Sequence, residues 1–150
     1  MTPTLQQILL DHVKAENAHD MQATLATLHP ECVFEDTATG QVFHGREGAA
    51  LHYRQWWEAF NLVFSRGAQG SGRFTTDGAY VAEGLYSGRH TGPFLGLPAT
   101  GRELEFRFAV FVSFRDGLLA AERFYYDLAG VLRQLAATER DLITLRRTTP

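Results

Sequence analysis

The sequence predicts an α+β fold, and three observations carry that expectation. Apolar residues up to Phe64 fall mostly at helical spacing, the period switches to two from Phe74 onward, and Asp77-Gly78 and Asp116-Gly117 mark hairpins. Helices first and antiparallel hairpins afterwards place the helices on one face of a curved sheet. The concave apolar interior of such a sheet is the usual seat of a small ligand.

Each element follows from local pattern. Leu5, Ile8, Leu9 and Val13 paint one face of a helix over Thr4 to Glu16, with Thr4 as N-cap. A short helix from Asp20 to Leu28 follows, stopped by Pro30. Cys32 to Asp36 reads as a strand, Thr39-Gly40 as a turn, and Gln41 to His44 as a second short strand. Beyond Gly45, the positions Ala50, Tyr53, Trp57, Phe60 and Phe64 step by three and four and predict a helix over Arg46 to Phe64. The glycine-rich stretch Gly67 to Gly72 breaks it.

Phe74 leads through Asp77-Gly78, a type I′ signal, into a return strand from Ala79 to His90. Thr91 to Gly101 is a loop. Arg102 to Phe114 alternates cleanly, with Leu104, Phe106, Phe108, Val110, Val112 and Phe114 on one face. Leu118 to Tyr126 returns after Asp116-Gly117, and Leu128 to Leu135 closes as a helix. The tail from Asp141 to Pro150 is expected to be helical at first and then disordered.

Composition excludes several classes. With 150 residues and 45% apolar content the chain is expected to form a single domain over 1–150. Seventeen acids against 14 bases, a net charge of −3, and no Lys/Arg run argue against a nucleic-acid partner. No window approaches ~18 continuous apolar residues, so no membrane partner is expected. The amino terminus lacks a signal-peptide pattern. Together these predict a soluble, cytoplasmic protein. The lone Cys32 reads as a small buried hydrophobe. Phosphate-loop, covalent-nucleophile and metal-ligand spacings are absent, and His12 with Glu16 at i, i+4 reads as a solvated pair.

The order of elements resembles the nuclear transport factor 2-like superfamily. The stretch Gly88-Arg89-His90-Thr91-Gly92-Pro93-Phe94-Leu95-Gly96, continuing to Thr100-Gly101-Arg102, is similar to its SnoaL-like polyketide cyclase branch, also called ester cyclases. So is Asp116-Gly117 followed by Arg123 to Asp127 and Gln134-Leu135, although Ala136 stands where that branch usually closes with glycine. The resemblance implies a cystatin-like α+β barrel, a cone of mostly antiparallel sheet and helices around a pocket. It also implies a homodimer through the open sheet face and cofactor-free, metal-free chemistry. In that branch an Asp at the end of the last strand removes a proton from an activated carbon, and the enolate closes a ring. The matching position is Asp127.

Asp127 immediately precedes a helix, so it reads either as that acid/base or as an N-cap. Arg123 and Tyr125 share its face by period two, and Arg123 would hold a substrate carbonyl or enolate if that face is the pocket. His90 matches the family histidine and reads as a pocket polar group or a structural tie to the loop. Asp36 is the rival base, or a turn residue. The expected pocket wall comprises Tyr53, Trp57, Phe34 and Asp36, with Phe111 and Ser113 reached by counting back through the last hairpin. The expected activity is a cyclase or isomerase acting on an apolar, polyketide-like carbonyl compound. The alternative is a non-catalytic ligand-binding or protein-interaction module.

Overall fold

In the computed structural model the described residues are 3–65 and 72–135. The stretch 66–71, Ala136 and the expected tail 141–150 lie outside them. Thr4 Oγ1 accepts from Gln7 N at 3.1 Å to start α1 (Leu5–Asn17), and Asp20 caps α2 (Met21–Ala26) through Ala23 N. α2 ends ahead of Pro30, and β1 (Leu28–Asp36) begins earlier than the pattern predicts. Pro30 occupies the part of β1 where pairing loses register, between Leu28 and Val33, a strand position that tolerates a missing N–H.

β2 (Gln41–His44) pairs back on β1, and α3 (Gly45–Phe60) follows. α3 stops before the expected Phe64 because Asn61 turns left-handed at φ 51. Val63–Ser65 instead forms β3. Then come β4 (Arg73–Phe74), β5 (Tyr80–Arg89), β6 (Glu103–Arg115), β7 (Leu118–Tyr126) and α4 (Leu128–Gln134). The two Asp-Gly turns differ. Asp116 and Gly117 both have positive φ, as type I′ requires, whereas at Asp77-Gly78 only the glycine does. That first turn instead closes through Thr75 and Ala79, with Thr75 N donating to Ala79 O at 2.8 Å.

The strands form one sheet in the order β2-β1-β7-β6-β5-β3, with β4 on β5. β1 runs parallel to β7 and the other pairs are antiparallel. Leu104, Phe106, Phe108, Val110 and Val112 of β6 are buried beneath the helices, as their alternation predicts.

β7 departs from that simplicity. A two-residue turn pairs Arg115 with Leu118 and Phe114 with Leu119, a register that would carry on to set Arg123 opposite Val110. The ladder slips by one residue, so that Ser113 pairs with Ala121 and Val110 with Phe124. Side chains opposite one another share a face, so the slip turns Glu122, Phe124 and Tyr126 inward and Arg123 and Tyr125 outward.

The glycines of the family-like stretch are explained by close approach. A Cβ on Gly88 would sit 2.3 Å from Phe60 O, and one on Gly92 2.3 Å from Glu58 O. Both carbonyls belong to the last turn of α3, where Thr91 N and Gly92 N donate to Ala59 O at 2.9 and 3.1 Å. The strand end and loop are thus seated directly on the helix terminus, whose last carbonyls need donors. Gly88→Ala is expected to cost about 2 kcal/mol through overpacking against backbone. Urea denaturation checks this, and an unchanged midpoint would contradict the close-contact account.

Candidate functional site

α1 and α3 cross the concave face of the sheet and leave a two-lobed cavity. The outer lobe, about 620 Å³ of empty space partly open to solvent, lies between α1 and the strands β5 to β7. The inner lobe, about 400 Å³ of empty space that likewise includes part open to solvent, lies under α3. Glu16, Tyr86, Phe108 and Phe124 line both, so the Glu16 carboxyl stands where the lobes meet.

Glu16 belongs to a buried polar cluster. Its Oε1 accepts from Tyr86 Oη at 2.8 Å, and its Oε2 lies 3.6 Å from His12 Nε2. His12 Nε2 also lies 3.2 Å from Glu122 Oε1 and 3.1 Å from Tyr53 Oη. At the other ring nitrogen, Thr27 Oγ1 is 2.7 Å from His12 Nδ1 and donates its own hydrogen to Thr24 O at 2.6 Å. A hydroxyl has one hydrogen, so Nδ1 must donate to Thr27, and Nε2 is the nitrogen that gains or loses a proton. Burial pushes Glu16 up to about 7, against the opposing pull of His12 and of the Tyr86 hydrogen bond. Burial pulls His12 down, but the hydrogen bond and charge of Glu122, with the charge of Glu16, outweigh it and leave the imidazole above its usual value.

The inner lobe has its own carboxyl. Asp36 is 1% exposed, with Oδ1 accepting from Ala38 N and Thr39 N and Oδ2 accepting from Tyr126 Oη at 2.8 Å. It is therefore both a turn residue and a cavity residue. Burial raises its pKa, opposed by these donors. His52 lines the same lobe with its ring stacked on Phe124, and its Nδ1 has no hydrogen-bond partner. Burial pulls His52 down to about 3, so it is neutral at ordinary pH.

Of the expected wall, Tyr53, Trp57 and Asp36 line the inner lobe, while Phe34 is fully buried behind it against His52 and Tyr53. The β7 slip corrects the expected phase of Arg123 and Tyr125, and the alternation of β6, with Val110 and Val112 inward, corrects that of Phe111 and Ser113. Arg123, Tyr125, Phe111 and Ser113 lie on the outer face, where the Arg123 guanidinium sits over the Phe111 and Tyr125 rings at 5.5 and 5.9 Å. Asp127 caps α4, accepting from Gly130 N at 2.9 Å, and its 70% exposed side chain meets Arg133. His90 is buried against Phe60, and its Nδ1 accepts from Thr100 N, which ties the loop ends together. Burial lowers its pKa, and it lines neither lobe.

His12, Glu16, Glu122 and His52 were not among the expected site residues. His12 and Glu16 are buried rather than solvated, and a signal existed, since Leu9, His12, Val13 and Glu16 follow one helical stripe. Among the described residues no three His, Cys, Asp or Glu side chains are placed to hold a metal ion. Nor is any helix among them long and apolar enough to cross a membrane.

A family model described as SnoaL-like polyketide cyclase matches residues 5–135. TsrD from Streptomyces laurentii is 31% identical, with 89% of this chain and 95% of that one covered and a TM-score of 0.75. A protein from Pseudomonas putida, described as a candidate polyketide cyclase, is 23% identical over 88% and 98% of the two chains, at a TM-score of 0.77. A Catenulispora acidiphila protein with a ketosteroid isomerase-like fold, solved in complex with trimethylamine, is 18% identical over 93% and 98%, at 0.74. The last two likenesses show the fold. No curated protein matches.

The raised Glu16 pKa has a consequence for stability. A carboxyl at about 7 when folded, against 4.5 in the unfolded chain, binds more protons in the native state. Its contribution is fully present below pH 4.5 and is lost as pH rises through 7, about 3 kcal/mol in all. His12, also raised, acts in the same direction at somewhat higher pH. The difference in urea stability between Glu16→Gln and the parent should therefore move in favour of the variant from pH 4.5 to 8. A difference independent of pH would contradict the raised value.

Proposed function

The chain belongs to the SnoaL-like polyketide cyclase family, and from that premise we propose that it is a cofactor-independent cyclase or isomerase. It acts by acid/base chemistry on a small, largely apolar carbonyl compound, with Glu16 rather than Asp127 as the group that moves the proton. The observation that carries this reading is a carboxyl near pKa 7 at the junction of two apolar lobes. A base is most effective when its pKa lies near the working pH.

In this reading the Glu16 carboxylate takes a proton from the carbon beside the substrate carbonyl. Tyr86 holds the carboxyl by donating to Oε1, which leaves Oε2, beside His12, for the proton. His12 Nε2 lies between Glu16, Glu122 and Tyr53 and serves as the place to which that proton passes and from which it returns. Negative charge on the substrate oxygen is met by the Tyr53 hydroxyl, whose single hydrogen is released from His12 Nε2 once that nitrogen carries the proton. The reading keeps the protein cytoplasmic and dimeric through the outer sheet face, where Phe111 and Tyr125 are 40% and 43% exposed. A monomeric mass by light scattering at micromolar concentration would remove that last part.

The capping role of Asp127 favours a second reading, a binding module of the same fold without turnover. One experiment separates the two. Hydrogen–deuterium exchange at the α-carbon of 2-tetralone in D₂O, followed by proton NMR, should be accelerated by the protein. Glu16→Gln should lower the acceleration at least ~10²-fold. Asp127→Asn should leave the rate unchanged and lower only stability, by roughly 0.5–2 kcal/mol at most, as a weakened cap does. Acceleration should also rise with pH through about 7 as Glu16 loses its proton. Exchange insensitive to Glu16→Gln would end the acid/base assignment.

A further inference from the structure

The inner lobe has an unusual balance of charge and aromatic surface. Its walls include the rings of Trp56, Trp57, Tyr53, Tyr86, Tyr126 and Phe106, and its polar groups include the carboxyls of Asp36 and Glu16. No Lys or Arg is among the described residues lining either lobe. The remaining base in the inner lobe, His52, is stacked on Phe124 and neutral, and its Nδ1 is 6% exposed by residue and without a partner.

Three donors surround the Asp36 carboxyl and favour its charged form, against the burial that raises its pKa. Two of its three partners are backbone N–H groups, which can only donate, and the third is the Tyr126 hydroxyl. The carboxyl thus lines a lobe walled by aromatic rings, with no Lys or Arg among the described lining residues. A buried carboxylate left without a counter-charge is costly. Aromatic faces and carboxylates both attract positive charge, and together they are the chemistry that recognises substituted ammonium groups.

We propose that the inner lobe receives an ammonium group, so that the ligand is a small organic amine whose cation sits between Asp36 and the rings of Trp56 and Tyr126. This names the substrate class for the site described above and rests on that site being the functional one. The outer lobe, lined by Leu9, Val13, Val110 and Val112, takes the apolar remainder, and Glu16 faces the atoms between. A neutral His52 Nδ1 is an acceptor for an N–H of a protonated amine, provided the ring tautomer leaves its lone pair free.

Binding of a permanent cation should also depend on pH. The groups around Glu16 are His12 on α1, Glu122 on β7, Tyr53 on α3 and Tyr86 on β5, with Asp36 and Glu83 elsewhere on the cavity wall. Below pH 7 Glu16 gains a proton and His12 carries charge, and both changes make the cavity less negative.

The test uses choline and its uncharged isostere 3,3-dimethylbutan-1-ol, titrated into the full chain by calorimetry and by NMR. Choline should bind at least ~10-fold more tightly at pH 8, and that preference should shrink at pH 5.5. Asp36→Asn, which keeps the shape and removes the charge, should reduce the preference. Circular dichroism establishes that the variant is folded, and the comparison of the two probes on the parent protein needs no variant. Equal or tighter binding of the alcohol, or no response to choline at about 10 mM, overturns the proposal. Such a result leaves the 2-tetralone exchange of Glu16 standing. Conversely, loss of the Glu16 assignment with choline still preferred would leave an ammonium-binding module.

Discussion

Between Ser113 and Phe114 the pairing of β6 with β7 slips by one residue, and the rest of the site depends on that slip. Because strand side chains alternate, one residue is enough to exchange the two faces of β7. It brings Glu122 to His12, Phe124 to the ring of His52, and Tyr126 to Asp36. These side-chain connections from the last strand to α1, α3 and β1 therefore presuppose the bulge. The residues turned outward form a separate surface, with Arg123 lying over Phe111 and Tyr125.

Given that register, the electrostatics follow from burial. α1 delivers His12 and Glu16 into a cavity otherwise walled by apolar and aromatic side chains, and β7 delivers Glu122 beside them. Two carboxylates beside one imidazole are costly to keep charged in a dry setting, so burial raises the proton affinity of Glu16 and the neighbouring carboxylates raise that of His12 against its own burial. Asp36 solves the same problem differently, with three donors around its oxygens. The cavity thus contains one carboxyl surrounded by donors and another poised between its two states.

The element order was legible because alternation and helical spacing are strong over long runs, as in β6, α1 and α3. The ends of elements were less so. Asn61 leaving the helical region and Pro30 lying inside an irregular strand are local choices made by tertiary pairing. The site was half legible. Tyr53 and Trp57, four apart on α3, and Asp36 at the end of β1 line the inner lobe, positions that spacing alone makes visible. Arg123 and Tyr125 share the face of Asp127 by period two, and nothing in Leu118 to Tyr126 announces the extra residue that turns Arg123 and Tyr125 outward. The charged residues of α1 were read as solvated because polarity was given more weight than position on the stripe. His90 and its flanking glycines illustrate the converse, a recognisable motif whose residues hold the loop to α3.

The order of the strands bears on how copies of this protein meet. β2, of four residues, stands at one side of the sheet, and β3 and β4, of three and two residues, flank β5 at the other. The long strands β5, β6 and β7 each have neighbours on both sides. Short outermost strands are poor templates for strand addition, which protects against runaway edge-to-edge aggregation. A further strand, from this chain or another, therefore finds little backbone to pair with at either side of the sheet among the described residues.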